Sequence, residues 1–406
     1  MSKAPRDLLL SIYHQTLHAV HGHYQVASYL KNHYPYSHPL ALVASGKAAS
    51  EMAWGAFEVL GSQITHALIV TKKDHLKNVL PNIYFMISLE TAHPVPDASS
   101  LAAGQTLLDF VASLPPRYPI LFLISGGTSA LIEVLAPEVT LMDLQKTNQW
   151  LLACGLDIHA MNQVRKNLSA IKGGRLANYI VEHPTLVLLI SDVPGDDLHA
   201  IGSGLLTYHE HIPLPPNLPK WLHALTSHAL PLANPACFAH ITQRIIASPA
   251  TARQAAVKIA REHGYVAYSY ENLIVGDALQ AGRALGKQLC TIPPGIHVWS
   301  SETTVRLPEH PGQGGRCQSL ALAAACELAE HQGIYLLAAG SDGNDGMEYI
   351  AGALVDGGTL QRGQGIDAQT CLSQAHAGYF LSQSGDLIQG ISTGTNVMDI
   401  LIGFKH

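Results

Sequence analysis

From Pro39 onward, short unbroken apolar runs alternate with longer stretches of helical period. PLALVA leads into SGKAASEMAWGAFEVLG, and THALIVT and YFMISLE follow. SSLAAGQTLLDFVASL precedes PILFLI, and TLVLLIS comes after a long helical stretch over 141–181. Strands that are apolar on both faces belong to a parallel sheet covered by helices on each side, so the pattern predicts a Rossmann-like α/β layer. Upstream, apolar residues at 9, 12, 13, 17 and 20 behind Pro5 predict a packing helix over 5–20.

Over 208–235 the pattern lapses into a Pro- and His-rich stretch that reads as an excursion or linker. It resumes at Ser248-Pro249, a cap and first residue for a helix reaching 263, followed by strand YVAYSY and a helix over 277–290. Beyond the Pro-Pro-Gly break at 293–295, the runs IHVWSS, ETTVRL and IYLLAAG flank the helical GGRCQSLALAAACELAE. The expected fold is therefore α/β with two domains: a Rossmann-like parallel sheet over 1–235, joined by 236–292, and a smaller α/β domain with a mixed sheet over 293–406.

Composition narrows the function. Hydrophobic residues make up 47% of the 406 and charged residues only 13%, yet no apolar run approaches the ~18 residues that span a bilayer. The formal charge of -6 gives no footprint for nucleic acid or an anionic membrane. Six cysteines without a CxxC pair fit free thiols in a reducing compartment, and the expected location is cytoplasmic. A homo-oligomer is compatible with all of this.

In a parallel α/β sheet, ligands bind beyond the carboxyl ends of the strands, so residues following strands are the candidates for chemistry. Ser45-Gly46-Lys47 places backbone N–H groups and an ammonium at a strand-to-helix turn. Ser125-Gly126-Gly127-Thr128-Ser129 lets the backbone approach an anion closely; a tight turn with Ser as cap is the equal alternative. Arg165, Lys172 and Arg175 recur on one face if that segment is helical. Asp192 stands at a strand end with Asp196 and Asp197 close behind, and such neighbours repel unless a cation or Mg2+ neutralises them, which makes Asp192 and Asp196 candidate metal ligands. The last set is Glu302, then Gly314-Gly315-Arg316 opening a helix, then Asp342-Gly343-Asn344-Asp345 after a strand, able to hold Mg2+ or nucleotide hydroxyls or to form a plain turn. It is not an EF-hand, because Met347 stands where that loop requires Gly. P-loop, dinucleotide, protein-kinase and nucleophile-elbow motifs are all missing. Lys47, Arg165, Lys172 and Arg316 as cations, Gly-rich turns as cradles and Asp192 as a positioned carboxylate are the parts that phosphoryl transfer needs.

In order, SGKAASEMA, HPVPD, ISGGTSAL, NQVRKNLSAIKGGRLA, SDVPGDDLHAIGSG, ETTV, GQGGRCQSLAL, GSDGNDG, AGALVDGGT and GTNVMDILIGF resemble the motifs of the two-domain glycerate 2-kinase family over nearly the whole chain. The resemblance implies a Rossmann-like glycerate kinase domain followed by a MOFRL domain. It also implies phosphorylation of the 2-hydroxyl of D-glycerate to 2-phosphoglycerate with ATP and Mg2+, in a cleft between the domains. It carries the catalytic roles onto Lys47, Asp192 and Arg316, and binding roles onto the GGTS turn, Lys172 and the GSDGNDG turn. The chain departs from the family pattern at Ser300-Ser301, Leu205 and Cys317. Two other readings stay open: an NAD(P)H-dependent hydroxypyruvate reductase and a non-catalytic hydroxy-acid sensor.

Overall fold

The computed structural model describes residues 4–33, 38–76, 85–154, 156, 158–346 and 349–406. The chain forms two compact units, residues 22–246 and residues 1–21 together with 247–406.

Unit 22–246 is built on a six-stranded sheet of β1 (Leu40–Ser45), β2 (Ile64–Lys72), β3 (Phe85–Thr91), β4 (Ile120–Ile124), β5 (Thr185–Ile190) and β6 (Ile241–Ala247) in the order β3-β2-β1-β4-β5-β6. The neighbours from β3 through β5 pair in parallel. Every residue of β1 and β4 is buried, which explains their unbroken apolar runs. One covering helix, Ala98–Ala112, begins at a polar cap: Asp97 accepts from Ser99 N–H at 2.7 Å, and Ser100 Oγ accepts from Asp97 N–H. Val43, Leu107, Phe122 and Leu189 meet in one core between these layers.

The second sheet comprises β7 (Ala267–Ser269), β8 (Ile274–Asp277), β9 (Gly295–Thr304), β10 (Ile334–Gly340), β11 (Ile350–Asp356), β12 (Leu387–Gln389) and β13 (Asp399–Lys405). β9, β13, β10, β11 and β12 pair antiparallel in that sequence, while β7 and β8 join β9 in parallel, so the sheet is mixed.

The structure divides the chain differently from the expected 1–235 and 293–406. The helix Pro5–Ala19 buries Leu8, Leu9, Ile12 and Tyr13 within the C-terminal unit, where Tyr13 Oη donates to the Gly340 carbonyl at 2.7 Å. Arg6 reaches Asp356 at 2.5 Å and Asp386 at 2.8 Å, two carboxylates shared with Arg362. The segment 247–292 belongs there too, because β7 and β8 pair with β9. Hydrophobic period places a helix but not the surface that covers its apolar face. Likewise 208–235 is no linker: its helix Lys220–Thr226 inserts the fully buried Leu222 among Leu151, Val164 and Leu168. The long helical stretch over 141–181 resolves into helices Leu141–Ala153 and Ile158–Asn167, with a 3-10 turn at Arg175–Tyr179. Arg165 therefore shares no helical face with Lys172 or Arg175.

Candidate active site

Connections run outward from β1 and β4 in opposite directions, so the crevice beyond their carboxyl ends is the topological switch point of the sheet. The Ser45–Lys47 and Ser125–Ser129 turns both stand there, at paired strand ends where Ser45 aligns with Ile124. They are laced together. Ser125 N–H donates to the Ser45 carbonyl at 2.9 Å and Lys47 N–H to the Gly126 carbonyl at 2.9 Å. The buried Thr128 hydroxyl donates to the Ser45 carbonyl at 2.9 Å, and Ser125 Oγ accepts from Ala48 N–H at 3.1 Å. Gly46 has φ +122°, and a Cβ there would stand 2.6 Å from the Ser125 carbonyl oxygen, so only glycine permits this approach. Gly127, at φ +90°, faces the His93 ring and the Lys47 stem, both within 3.4 Å of where its Cβ would be. The turn is thus a bare stretch of backbone flanked by the aliphatic stem of Lys47 and an imidazole.

The loop after β5 reaches the same crevice. Asp192 follows the buried Ser191, and Ser203 Oγ meets Ser129 Oγ at 2.8 Å, tying the Asp192 loop to the GGTS turn. From the other side, Gly173 N–H donates to the Ser203 carbonyl at 3.0 Å and Gly174 N–H to the Gly204 carbonyl at 2.7 Å. Asp196 has φ +55°, and its Oδ1 is buried without a hydrogen-bond partner among the described residues. No group of three or more metal-ligating side chains stands together among the described residues. A Mg2+ ion that arrives on nucleotide phosphates asks for only one or two protein carboxylates, and Asp192 with Asp196 fits that need in type and number.

Lys172 and Arg165 are not presented to the crevice. Lys172 is 2% exposed and its ammonium contacts Glu133 Oε2 at 2.5 Å, while Ser169 Oγ donates to the other carboxylate oxygen at 2.6 Å. This sealed ion pair anchors the residues that brace Ser203. Arg165 Nε donates to Asn148 Oδ1 at 2.9 Å, joining two helices.

Arg316 belongs to the other unit, at the start of the helix Arg316–Leu328. Its guanidinium spans Glu302 and Asp399, with Nε 2.7 Å from Asp399 Oδ2. Burial pulls its pKa down, but Asp399 and Glu302 together hold it above its ordinary value. Burial pushes the Asp399 carboxyl up to about 7 against the pull of Arg316. Asp345 is turned inward: Oδ1 accepts from Cys317 N–H at 2.9 Å and Oδ2 from Gln318 N–H at 2.8 Å. Its carboxylate caps this helix and occupies the position that a nucleotide phosphate would take at the same N-terminus. Gly314 and Gly315 pack beside that cap, against Gly378 and the Asp345 carbonyl. Asp342 Oδ1 accepts from Asn344 N–H at 3.1 Å across Gly343, which shapes the turn, and Met347 lies outside the described residues.

The departures from the family pattern are absorbed locally. Ser300 Oγ accepts from Arg253 Nη1 at 3.0 Å and Ser301 is fully buried. Leu205 packs in the core beside Ile201. The Cys317 thiol is buried, which pushes its pKa well up. Sequence reasoning missed three groups: His93, whose signal was the HPVPD segment; Glu133, the partner of Lys172; and Asp399, whose signal was the GTNVMDILIGF segment.

A parallel sheet in this order with two glycine turns at its switch point defines an α/β protein of the Rossmann-like class. Comparison with known proteins makes this specific. Residues 8–213 match a family described as a domain of unknown function (DUF4147), and residues 295–399 match the MOFRL family. A D-glycerate 2-kinase of Thermotoga maritima is 33% identical over 391 residues, covering 89% of each chain. A glycerate 2-kinase of Pyrococcus horikoshii is 32% identical, covering 89% of this chain and 86% of that one. Two Agrobacterium vitis proteins with hydroxypyruvate reductase in their names are 34% and 33% identical over 88% of this chain. The crystal structure of glycerate kinase from Thermotoga maritima superposes with a TM-score of 0.85 at 31% identity, covering 98% of this chain and 99% of that one. The chain belongs to the glycerate 2-kinase family and is a kinase.

Proposed function

We propose that the protein phosphorylates the 2-hydroxyl of D-glycerate with MgATP, giving 2-phosphoglycerate and ADP. The observation that carries this reading is the crevice at the ends of β1, β4 and β5. Lys47, the Gly126-Gly127 backbone and the Asp192 loop converge there through the Ser45–Ser125 and Ser129–Ser203 contacts. In this reading the glycine turn and Lys47 hold anionic oxygens of the substrates. Asp192 orients the acceptor hydroxyl and takes its proton as the bond to phosphorus forms. Lys47 and Arg316 stabilise charge on the transferring phosphoryl group, which requires residues of both units to act on one substrate pair. Asp192 and Asp196 would hold a Mg2+ ion brought by the nucleotide, which would supply neutralising charge to the phosphate oxygens. The turn Asp342–Asp345 and the glycines before Arg316 are the nucleotide side of the proposal, with Asp345 acting through the helix it caps. Six free thiols, and the fact that no described helix is long and apolar enough to cross a membrane, agree with a cytoplasmic enzyme.

The test is an assay with D-glycerate, ATP and Mg2+ coupled through enolase without phosphoglycerate mutase, so that only the 2-phospho product gives signal. Asp192→Asn should lower kcat by roughly 10²-fold or more with little change in the KM for glycerate, because the lost group acts on the proton in flight. Normal turnover in that variant removes Asp192 from the role. The reductase name carried by the Agrobacterium vitis relatives is the second reading. NADH oxidation with hydroxypyruvate would favour it, although the turn after β1 lacks the dinucleotide glycine pattern.

A further inference from the structure

Two carboxylates grip the Arg316 guanidinium, and they differ in how readily each contact could be exchanged. Asp399 takes one edge of the planar group: Nη2 donates to Oδ1 at 3.0 Å, and Nε stands 2.7 Å from Oδ2. Glu302 takes the other edge, with Nη1 donating to Oε1 and Nη2 donating to Oε2 at 3.3 Å. The Asp399 side chain is 4% exposed and the Glu302 side chain 39%. Asp399 opens β13, which is paired on both sides, with Gly340 of β10 and Ser301 of β9 opposite it. The buried Cys317 thiol adds a side-chain hydrogen bond to the same carboxylate. A short side chain on a strand held from both sides has little freedom, whereas the longer Glu302 stands partly in water and can turn away.

Together the two contacts occupy both edges of the fork through which a guanidinium binds phosphate oxygens. With both carboxylates ionised the trio carries one net negative charge, which opposes an approaching phosphoryl group. Arg316 can therefore act on phosphate only after one carboxylate gives way. Withdrawing Asp399 would leave a charge uncompensated in the interior, a strongly unfavourable step, while an exposed carboxylate returns to water at small cost. We infer that Asp399 is a positioning residue that keeps hold of Arg316 by its Nε edge, and that Glu302 is an exchangeable counter-ion that vacates the Nη1–Nη2 edge to phosphate oxygens of the nucleotide. The inference deepens the kinase reading and rests on the role which that reading gives Arg316. It makes Glu302 a stand-in for the ligand instead of a group that holds it.

The test uses the full-length protein with D-glycerate and MgATP at pH 8, above the value of about 7 to which burial pushes the Asp399 carboxyl. Glu302→Gln keeps the shape of a partly exposed side chain. Its kcat/KM for ATP should rise roughly two- to fivefold, because phosphate oxygens no longer compete with a carboxylate for that edge of Arg316. An unchanged value would mean that Glu302 does not stand in the way, and a lower one that it holds substrate or metal itself; either overturns the inference. Asp399→Asn, assayed well below its unfolding midpoint, should lower kcat roughly tenfold or more. In an Arg316→Lys background the same change should cost little further, because an ammonium offers no Nε edge to hold. A residue that serves only the fold would cost the same in both backgrounds, and that result also overturns the inference. Arg316→Lys alone separates the two readings. Wild-type turnover in that variant would remove Arg316 from the kinase reaction and the inference with it, whereas impaired turnover with additive losses would overturn the inference and leave the kinase reading standing.

Discussion

The buried pair of Lys172 and Glu133 allows the sharpest test of which cations serve structure. The ammonium and carboxylate are 2.5 Å apart with side-chain exposures of 2% and 0%. At an effective dielectric constant of about 20, Coulomb attraction at that distance is roughly 7 kcal/mol, but desolvating each ion costs several kcal/mol, so the intact pair contributes little net stability. Removing one partner is different, because the survivor stays buried and uncompensated, at about 3–5 kcal/mol. Glu133→Gln and Lys172→Met should each lose that amount. For a unit of this size that is a drop of roughly 6–20 °C in the unfolding midpoint, followed by circular dichroism. Lys172→Met combined with Glu133→Leu replaces both charges by apolar groups and should recover most of the loss, with kcat/KM for glycerate near the wild-type value. Two results would refute this reasoning. A double variant no more stable than the singles would mean that the pair is not the source of the effect. A double variant that folds normally but has lost glycerate affinity would return Lys172 to the substrate.

Three further outcomes are expected. Gly46→Ala forces a Cβ against the Ser125 carbonyl at φ +122° and should displace the switch-point turn, lowering kcat/KM by roughly tenfold or more for a midpoint shift of only a few degrees; unchanged kinetics would show that the turn does not touch substrate. Asp399 holds its proton up to about pH 7 when folded and releases it near its ordinary value of 3.8 when unfolded. Its contribution is therefore full in acid and falls as pH rises to 7. The stability of wild type minus that of Asp399→Asn should drop by about 3 kcal/mol from pH 5 to pH 8, and a pH-independent difference in denaturant titrations would contradict the burial argument. Arg6→Ala removes one of two arginines from Asp356 and Asp386 and should lower stability by about 1–2 kcal/mol, with amide exchange rising first in the helix Pro5–Ala19.

The layer architecture and the switch-point turns were legible because their causes are local. An apolar run such as ILFLI can satisfy its surroundings only as a buried strand, and Ser-Gly-Lys or Ser-Gly-Gly after such a run leaves little but a turn that bares backbone. Asp192 was legible for the same reason, as a carboxylate placed at a strand end. The cap at Ser248 followed from residue type alone, since its helix begins one residue later.

What the sequence left open depends on partners far along the chain. Arg165, Lys172 and Arg316 look alike as cations in a list of residues. Only the fold pairs Lys172 with Glu133, hands Arg165 to Asn148 and sets Arg316 between Glu302 and Asp399. Asp345 reads as a ligand for metal or nucleotide until its carboxylate is seen capping the helix behind Arg316. The helix Pro5–Ala19 is apolar on one face by its sequence, but Arg6 reaching Asp356, 350 residues away, decides which unit it joins. Local chemistry sets what each segment can become, and a charge or an apolar face acquires its role only from the group that folding brings against it.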